Sequence, residues 1–188
     1  MILSWSIGFV VAGVSNFMAQ PFASVSTAAS VRSTNASLNA LSRVVDLREA
    51  IALLDRAIDI DRRRLGARHP ETATLELSLA GLLLKAGHAD QAAQSAARAM
   101  SIFEEALDAG HQRTAAAATV LARSLRAQGD TAGAERMYRR ALEIDEQASP
   151  RSPRIITDTR TLAEFLREIG KQREAADLEK RMTDGTPR

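Results

Sequence analysis

After about residue 40 the chain repeats itself every 42 residues, and a period of that length decides the architecture before any local pattern is weighed. His69 and His111 stand 42 apart, as do Gly87 and Gly129, Leu65 and Leu107, Leu79 and Leu121, and Leu83 and Leu125. Ala50, Ala92 and Ala134 form one series at this offset, Ala57, Ala99 and Ala141 a second, and Ile60, Ile102 and Ile144 a third. A further copy follows at an offset of 41, carrying Leu121 to Leu162, Leu125 to Leu166, Gly129 to Gly170 and Ala134 to Ala175. Such a chain cannot bury its apolar faces within one unit, so it must stack its units on one another.

Each unit reads as two helices. In the first, Pro70 suits the opening turn, where its missing N–H costs nothing. Ala73, Leu75, Leu79, Leu82, Leu83 and Ala86 then recur at helical spacing. Gly87 ends that helix in a left-handed conformation, and Asp90 helps to start the next. The second helix carries Ala92, Ala93, Ala96, Ala99, Met100 and Phe103 before Gly110. Alanines seven apart let two antiparallel helices approach closely, so they read as packing positions. The expected fold is all-α: a right-handed α-solenoid of antiparallel helix pairs, about seven or eight helices in all. Breaks are expected near Gly66, Gly87, Gly110, Gly129, Pro150 and Gly170.

The stretches LDRAIDIDRRRLGARHPETATLELSLAGLLLKAGHADQA, RSLRAQGDTAGAERMYRRALEIDEQ and TLAEFLREIGKQREAADLEKRM carry a recognisable pattern. A Leu-Ala pair lies midway in the first helix, a Gly follows at the turn, and two alanines seven apart mark the second helix. With the Arg-Ala-Ile/Leu-x-Ile-Asp run and the His-Pro before the next unit, the chain resembles the tetratricopeptide repeat proteins, in their 42-residue kinesin-light-chain variety. The resemblance covers residues 46–183, with residues 29–45 as a linker and a degenerate first helix whose contacts would be Leu38 and Leu41. The third unit departs from the pattern at Glu179 and Met182, which suggests a frayed helix or a polar cap on the stack. Residues 184–188 are expected to form a disordered tail.

The N-terminus is a separate matter. No charged residue precedes Arg32, and Met1–Ala19 is an apolar run. Small residues then crowd into ASVSTAAS, and cleavage after Ala28 would put Ser26 and Ala28 at the two positions that a signal peptidase reads. Residues 1–28 are therefore expected to be an export signal, which places the mature protein in the periplasm or outside the cell. They lack a basic opening segment, so an uncleaved inner-membrane anchor and a misassigned start remain alternatives.

Composition removes several function classes. There is no cysteine, which excludes thiol chemistry, disulfides and Cys-ligated metals. Twenty-five cations against 23 anions leave a net charge of only +2, too little to suggest nucleic acid as the partner. No phosphate-binding loop, dinucleotide fingerprint or nucleophile elbow occurs, and no two of the three histidines stand four apart on a helix. His69 and His111 occupy equivalent junctions and read as turn residues, with His88 solvated. Glu104–Glu105 and Asp59–Asp61 sit on polar helix faces, too far apart in angle to converge on one atom. The chain is expected to be no enzyme and to need no metal or cofactor.

What the resemblance implies is a groove lined by the first helix of each unit. Around the Leu-Ala pair those positions are Thr74, Leu77, Gly81, Leu84 and Lys85, then Ala116, Thr119, Arg123, Arg126 and Ala127, then Thr157, Arg160, Glu164, Arg167 and Glu168. Lys85, Arg123, Arg126, Arg160 and Arg167 would form a cationic strip beside an apolar part at Leu77 and Leu84. Guanidinium forks suit carboxylates, so the expected ligand is a peptide or protein segment, acidic in character. The family's groove asparagines are missing, since no Asn follows Asn39. Interaction scaffold is the reading; a regulatory or targeting subunit beside a separate enzyme or envelope complex is the alternative.

Overall fold

The computed structural model describes residues 46–148 and 152–183, and every regular element among them is an α-helix. Residues 46–64 form α1. Then follow α2 (Pro70–Lys85), α3 (Ala89–Ala106), α4 (Gln112–Gln128), α5 (Thr131–Ala148), α6 (Pro153–Glu168) and α7 (Gln172–Thr183). Each packs on its neighbour in the chain from α2 onward, and α2 also meets α4. The expected all-α repeat fold is therefore present. The segments 1–28, 29–45 and 184–188, and the break at Pro150, lie outside the described residues.

The helix starts repeat in atomic detail. His69 caps α2, its Nδ1 accepting the Glu71 N–H at 3.2 Å, while the Thr72 hydroxyl donates to the Gly66 carbonyl at 3.1 Å. Forty-two residues later His111 caps α4 by accepting the Arg113 N–H at 3.0 Å, and Thr114 donates to the Asp108 carbonyl at 3.1 Å. Both histidines satisfy helix-end donors that would otherwise be orphaned. Ser152 does the same for α6 through the Arg154 N–H at 3.3 Å.

The helix ends repeat too. Gly87, Gly129 and Gly170 lie at φ 82°, 84° and 83°, each followed by a residue whose N–H reaches back to a leucine carbonyl five residues earlier. The break expected near Gly110 lies between α3 and α4, and its positive φ, 136°, falls at Asp108. Asp108 stands 42 residues after Gly66, which has φ 103°. The turn is conserved between the two units while the residue in it is not, and Asp tolerates positive φ better than most side chains.

Alternate helices form two layers, with α2, α4 and α6 in one and α1, α3, α5 and α7 in the other. Ion pairs stitch each layer laterally. Arg113 of α4 reaches Glu71 of α2 at 3.0 Å, and Arg126 of α4 reaches Glu168 of α6 at 2.6 Å. In the other layer Arg139 reaches Glu174 at 2.6 Å, Lys171 reaches Glu135 at 2.9 Å, and Arg140 pairs with Glu104. Burial alone would raise the Glu135 carboxyl, but Lys171 and Arg139 outweigh it and hold it below the usual range.

Between the layers the packing follows the alanines. Ala92, Ala99 and Ala134 are fully buried and Ala141 nearly so. Small side chains bring the helices close, and the few large ones fill what remains. Phe103 packs among Ala73, Ala99 and Ala117. Phe165 and Tyr138 meet with ring centroids 5.3 Å apart, inside a cluster with Leu142, Leu162 and Leu166. In α7 the one buried residue among those described is Ala175, and Met182 is an exposed apolar side chain.

Candidate functional site

The outer surface of α2, α4 and α6 is built from positions just off the packing stripe. Repeat register lines them up in columns: Leu77, Thr119 and Arg160; Gly81, Arg123 and Glu164; Leu84, Arg126 and Arg167; Lys85, Ala127 and Glu168. The structure divides the five expected cations into two sets. Lys85, Arg123 and Arg160 are exposed and, among the described residues, have no carboxylate at ion-pair distance. Arg126 is held by Glu168, and Arg167 by Glu179 on α7. Glu164, one turn from Arg160, makes no ion pair among the described residues.

Leu77 and Leu84 also differ from expectation. Both are half-buried: Leu77 packs on the Phe103 cluster, and Leu84 on the cluster around Ile58 and Leu79. Each leaves part of its side chain at the surface, and the rest is covered because a helix flanked on two sides buries a wider arc than one stripe. Gly81 does open the surface, since a Cβ placed there would meet nothing within 4 Å. The space lies in the same column as Arg123.

Hydroxyls near the Leu-Ala pairs are already committed. Ser78 donates to the Thr74 carbonyl at 2.9 Å, Thr119 to Ala115 at 3.1 Å, and Thr161 to Thr157 at 2.8 Å. Such bonds to the preceding turn consume the one hydroxyl donor. Among the described residues Lys85, Arg123 and Arg160 remain as cationic donors on this surface with no carboxylate at ion-pair distance.

Two residues beyond the five cations shape the site. Glu168 places a carboxylate on Arg126, so the strip already accommodates the group a ligand would bring. It lies one residue beyond Arg167, the register equivalent of Arg126, and so on the adjacent helix within reach of Arg126. Tyr138 of α5 lies beneath, and its buried hydroxyl makes no well-formed hydrogen bond. Burial pushes the phenol above its usual range, while the nearby Arg126 and Arg123 charges pull it down.

A shallow polar cleft lies between residues 87–91 and Ala127–Gln128. Gln128 donates to the Ala89 carbonyl across it at 3.1 Å. No group of three or more His, Asp or Glu side chains suited to a metal occurs among the described residues. Nor is any described helix long and apolar enough to cross a membrane.

Stacked antiparallel helix pairs with a 42-residue period define a helical-repeat solenoid. The tetratricopeptide repeat family matches residues 39–105, 78–147 and 113–185, and the chain belongs to that family. Among solved structures it is similar to the kinesin light chain TPR-like repeats of Podosopora anserina: 21% identity, TM-score 0.67, 80% of this chain and 72% of that one. It is also similar to BtubC (BKLC) from P. vanneervenii, with 18% identity and a TM-score of 0.68 over 74% of this chain and 56% of that one. At those identities the likeness is one of fold. No curated protein matches the chain.

Proposed function

We propose that the protein is a non-catalytic interaction scaffold that receives an acidic segment of a partner protein on the α2–α4–α6 surface. Arg123 and Arg160 are the principal contacts, with Lys85 at the margin and the opening at Gly81 admitting the chain. The observation that carries this reading is the unequal pairing of the cations. Arg126 and Arg167 spend their charge on Glu168 and Glu179, whereas Arg123 and Arg160 are exposed with no carboxylate at ion-pair distance among the described residues. A partner's carboxylate can also displace Glu168, because an exposed pair of that kind is worth only about 0–1 kcal/mol.

Calorimetric titration with a glutamate-rich peptide, beside a neutral peptide of equal length, tests it. Binding should weaken as salt rises to physiological strength and should be lost in Arg123→Glu/Arg160→Glu without loss of fold. Gly81→Leu should block the site sterically while leaving the charges alone. Salt-insensitive binding that survives the charge reversal would contradict the reading.

The same proposal extends to location: residues 1–28 direct export and are removed after Ala28. Their support is the uncharged apolar run followed by small residues. Intact-mass measurement on protein from its native host should find a chain that begins at Ala29. An intact Met1 on soluble cytoplasmic protein would contradict export, and an intact Met1 in the membrane fraction would favour the anchor.

A further inference from the structure

The junction between α5 and α6 differs chemically from the equivalent junction between α3 and α4. There Phe103 packs on Ala117. Asp145 follows Phe103 by 42 residues and Asp158 follows Ala117 by 41, so two carboxyl groups stand where a ring meets a methyl. Both are withdrawn from solvent, at 1% and 9% exposure. Arg154 donates through Nε to Asp145 Oδ2 at 3.1 Å, but Asp145 Oδ1 and Asp158 Oδ2 are buried with no hydrogen-bond partner. Two ionised carboxylates in that position would each strand an acceptor and repel one another.

A single proton removes both difficulties. We propose that Asp145 and Asp158 share one proton, and that this makes the α5–α6 seam a joint which tightens when the proton is held and loosens when it is lost. Asp158 as the acid donates its O–H to Asp145, and on deprotonation the proton passes to solvent and leaves two facing carboxylates. The charged groups facing Asp158 are Asp145 across the seam on α5 and Arg154 one turn earlier on its own helix. Burial first, and then Asp145, push the Asp158 carboxyl up to about 7, against the opposing pull of Arg154.

The direction of the pH response follows. Between the ordinary carboxyl value of 3.8 and about 7 the folded chain holds a proton that the unfolded chain has released. The stabilisation is therefore complete at acid pH and is lost as pH rises through neutrality. The linkage corresponds to a fall on the order of tenfold or more in the folding equilibrium constant between pH 5.5 and 8. Since α6 also carries Arg160, the joint would move part of the proposed peptide surface; measuring the joint itself needs no partner.

Chemical denaturation of the full chain at pH 5.5 and pH 8 tests the proposal, with Asp158→Asn beside wild type. Asn supplies a permanent donor to Asp145, so the variant should gain stability over wild type at pH 8 and lose most of the pH response. Asp158→Ala, which restores the side chain of the sister junction, should also flatten the profile. Carboxyl carbon NMR of wild type should show Asp158 titrating near neutrality, a readout independent of how either variant folds. Identical pH profiles for wild type and Asp158→Asn, or an Asp158 already ionised at pH 5.5, would overturn it. So would a pH response that chelation of divalent cations abolishes, because the pair would then be a metal site.

Discussion

Phe165→Ala is expected to destabilise the protein by about 3–5 kcal/mol, the cost of emptying a closed aromatic site in a core. Phe165 is 1% exposed and packs on Tyr138 at 5.3 Å, within the cluster that joins α4, α5, α6 and α7. Among the described residues the cluster holds no ring besides Tyr138 and Phe165, so no third ring can swing in to close the gap. Alanines such as Ala134 and Ala175 fix the helix spacing and cannot reach further. The loss adds the missing contacts to the cavity they leave, because interiors collapse only partly. Urea denaturation reads the effect as a lower midpoint with a similar slope. A change under about 1 kcal/mol would mean that the third unit does not dock through this ring.

Removing the partners of a buried charge should cost nearly as much. Glu76 on α2 is 2% exposed and is bonded by Arg62 from α1 and by Arg98 from α3, the latter at 3.0 and 3.3 Å. Arg62→Ala/Arg98→Ala leaves a carboxylate with no cation, and stranding such a charge costs about 3 kcal/mol or more. Either single substitution should cost much less, because the other arginine remains and both are partly exposed. The two effects should therefore be more than additive. Adding Glu76→Leu to the pair should recover most of the loss, since a well-packed apolar residue replaces a buried ion cluster at little or no cost. Additive small effects with no rescue would show that Glu76 reaches water.

The repeat was legible because its signals are local. A turn glycine, a capping histidine and two alanines seven apart act through their own backbone or the adjacent helix, so periodicity alone locates them. What escaped depends on three helices at once. The apolar stripe of α2 was read as one face, yet Thr72 and Glu76 are also buried, because α1, α3 and α4 all pack against that helix. Asp145 and Asp158 escaped for a related reason. Each looks like an ordinary polar helix position until the stack places them in one seam. At the candidate site, the exposed cations were readable from register, whereas the half-burial of Leu77 and Leu84 depends on the helices that flank α2. Arg126 and Glu168 are opposite charges on adjoining helices, one residue out of repeat register, and their pairing depends on side-chain reach that register alone does not give. Asp108 could be placed in the left-handed turn by the same comparison with Gly66.

The central claim is that the α2–α4–α6 surface, and not the opposite layer, receives the partner. Backbone amide NMR during titration of the full chain with a glutamate-rich peptide tests it most directly. The account predicts saturable shift changes centred on Gly81, Arg123 and Arg160, fading as salt is added. Shift changes confined to α3, α5 and α7, or none at saturating peptide and low salt, would contradict it.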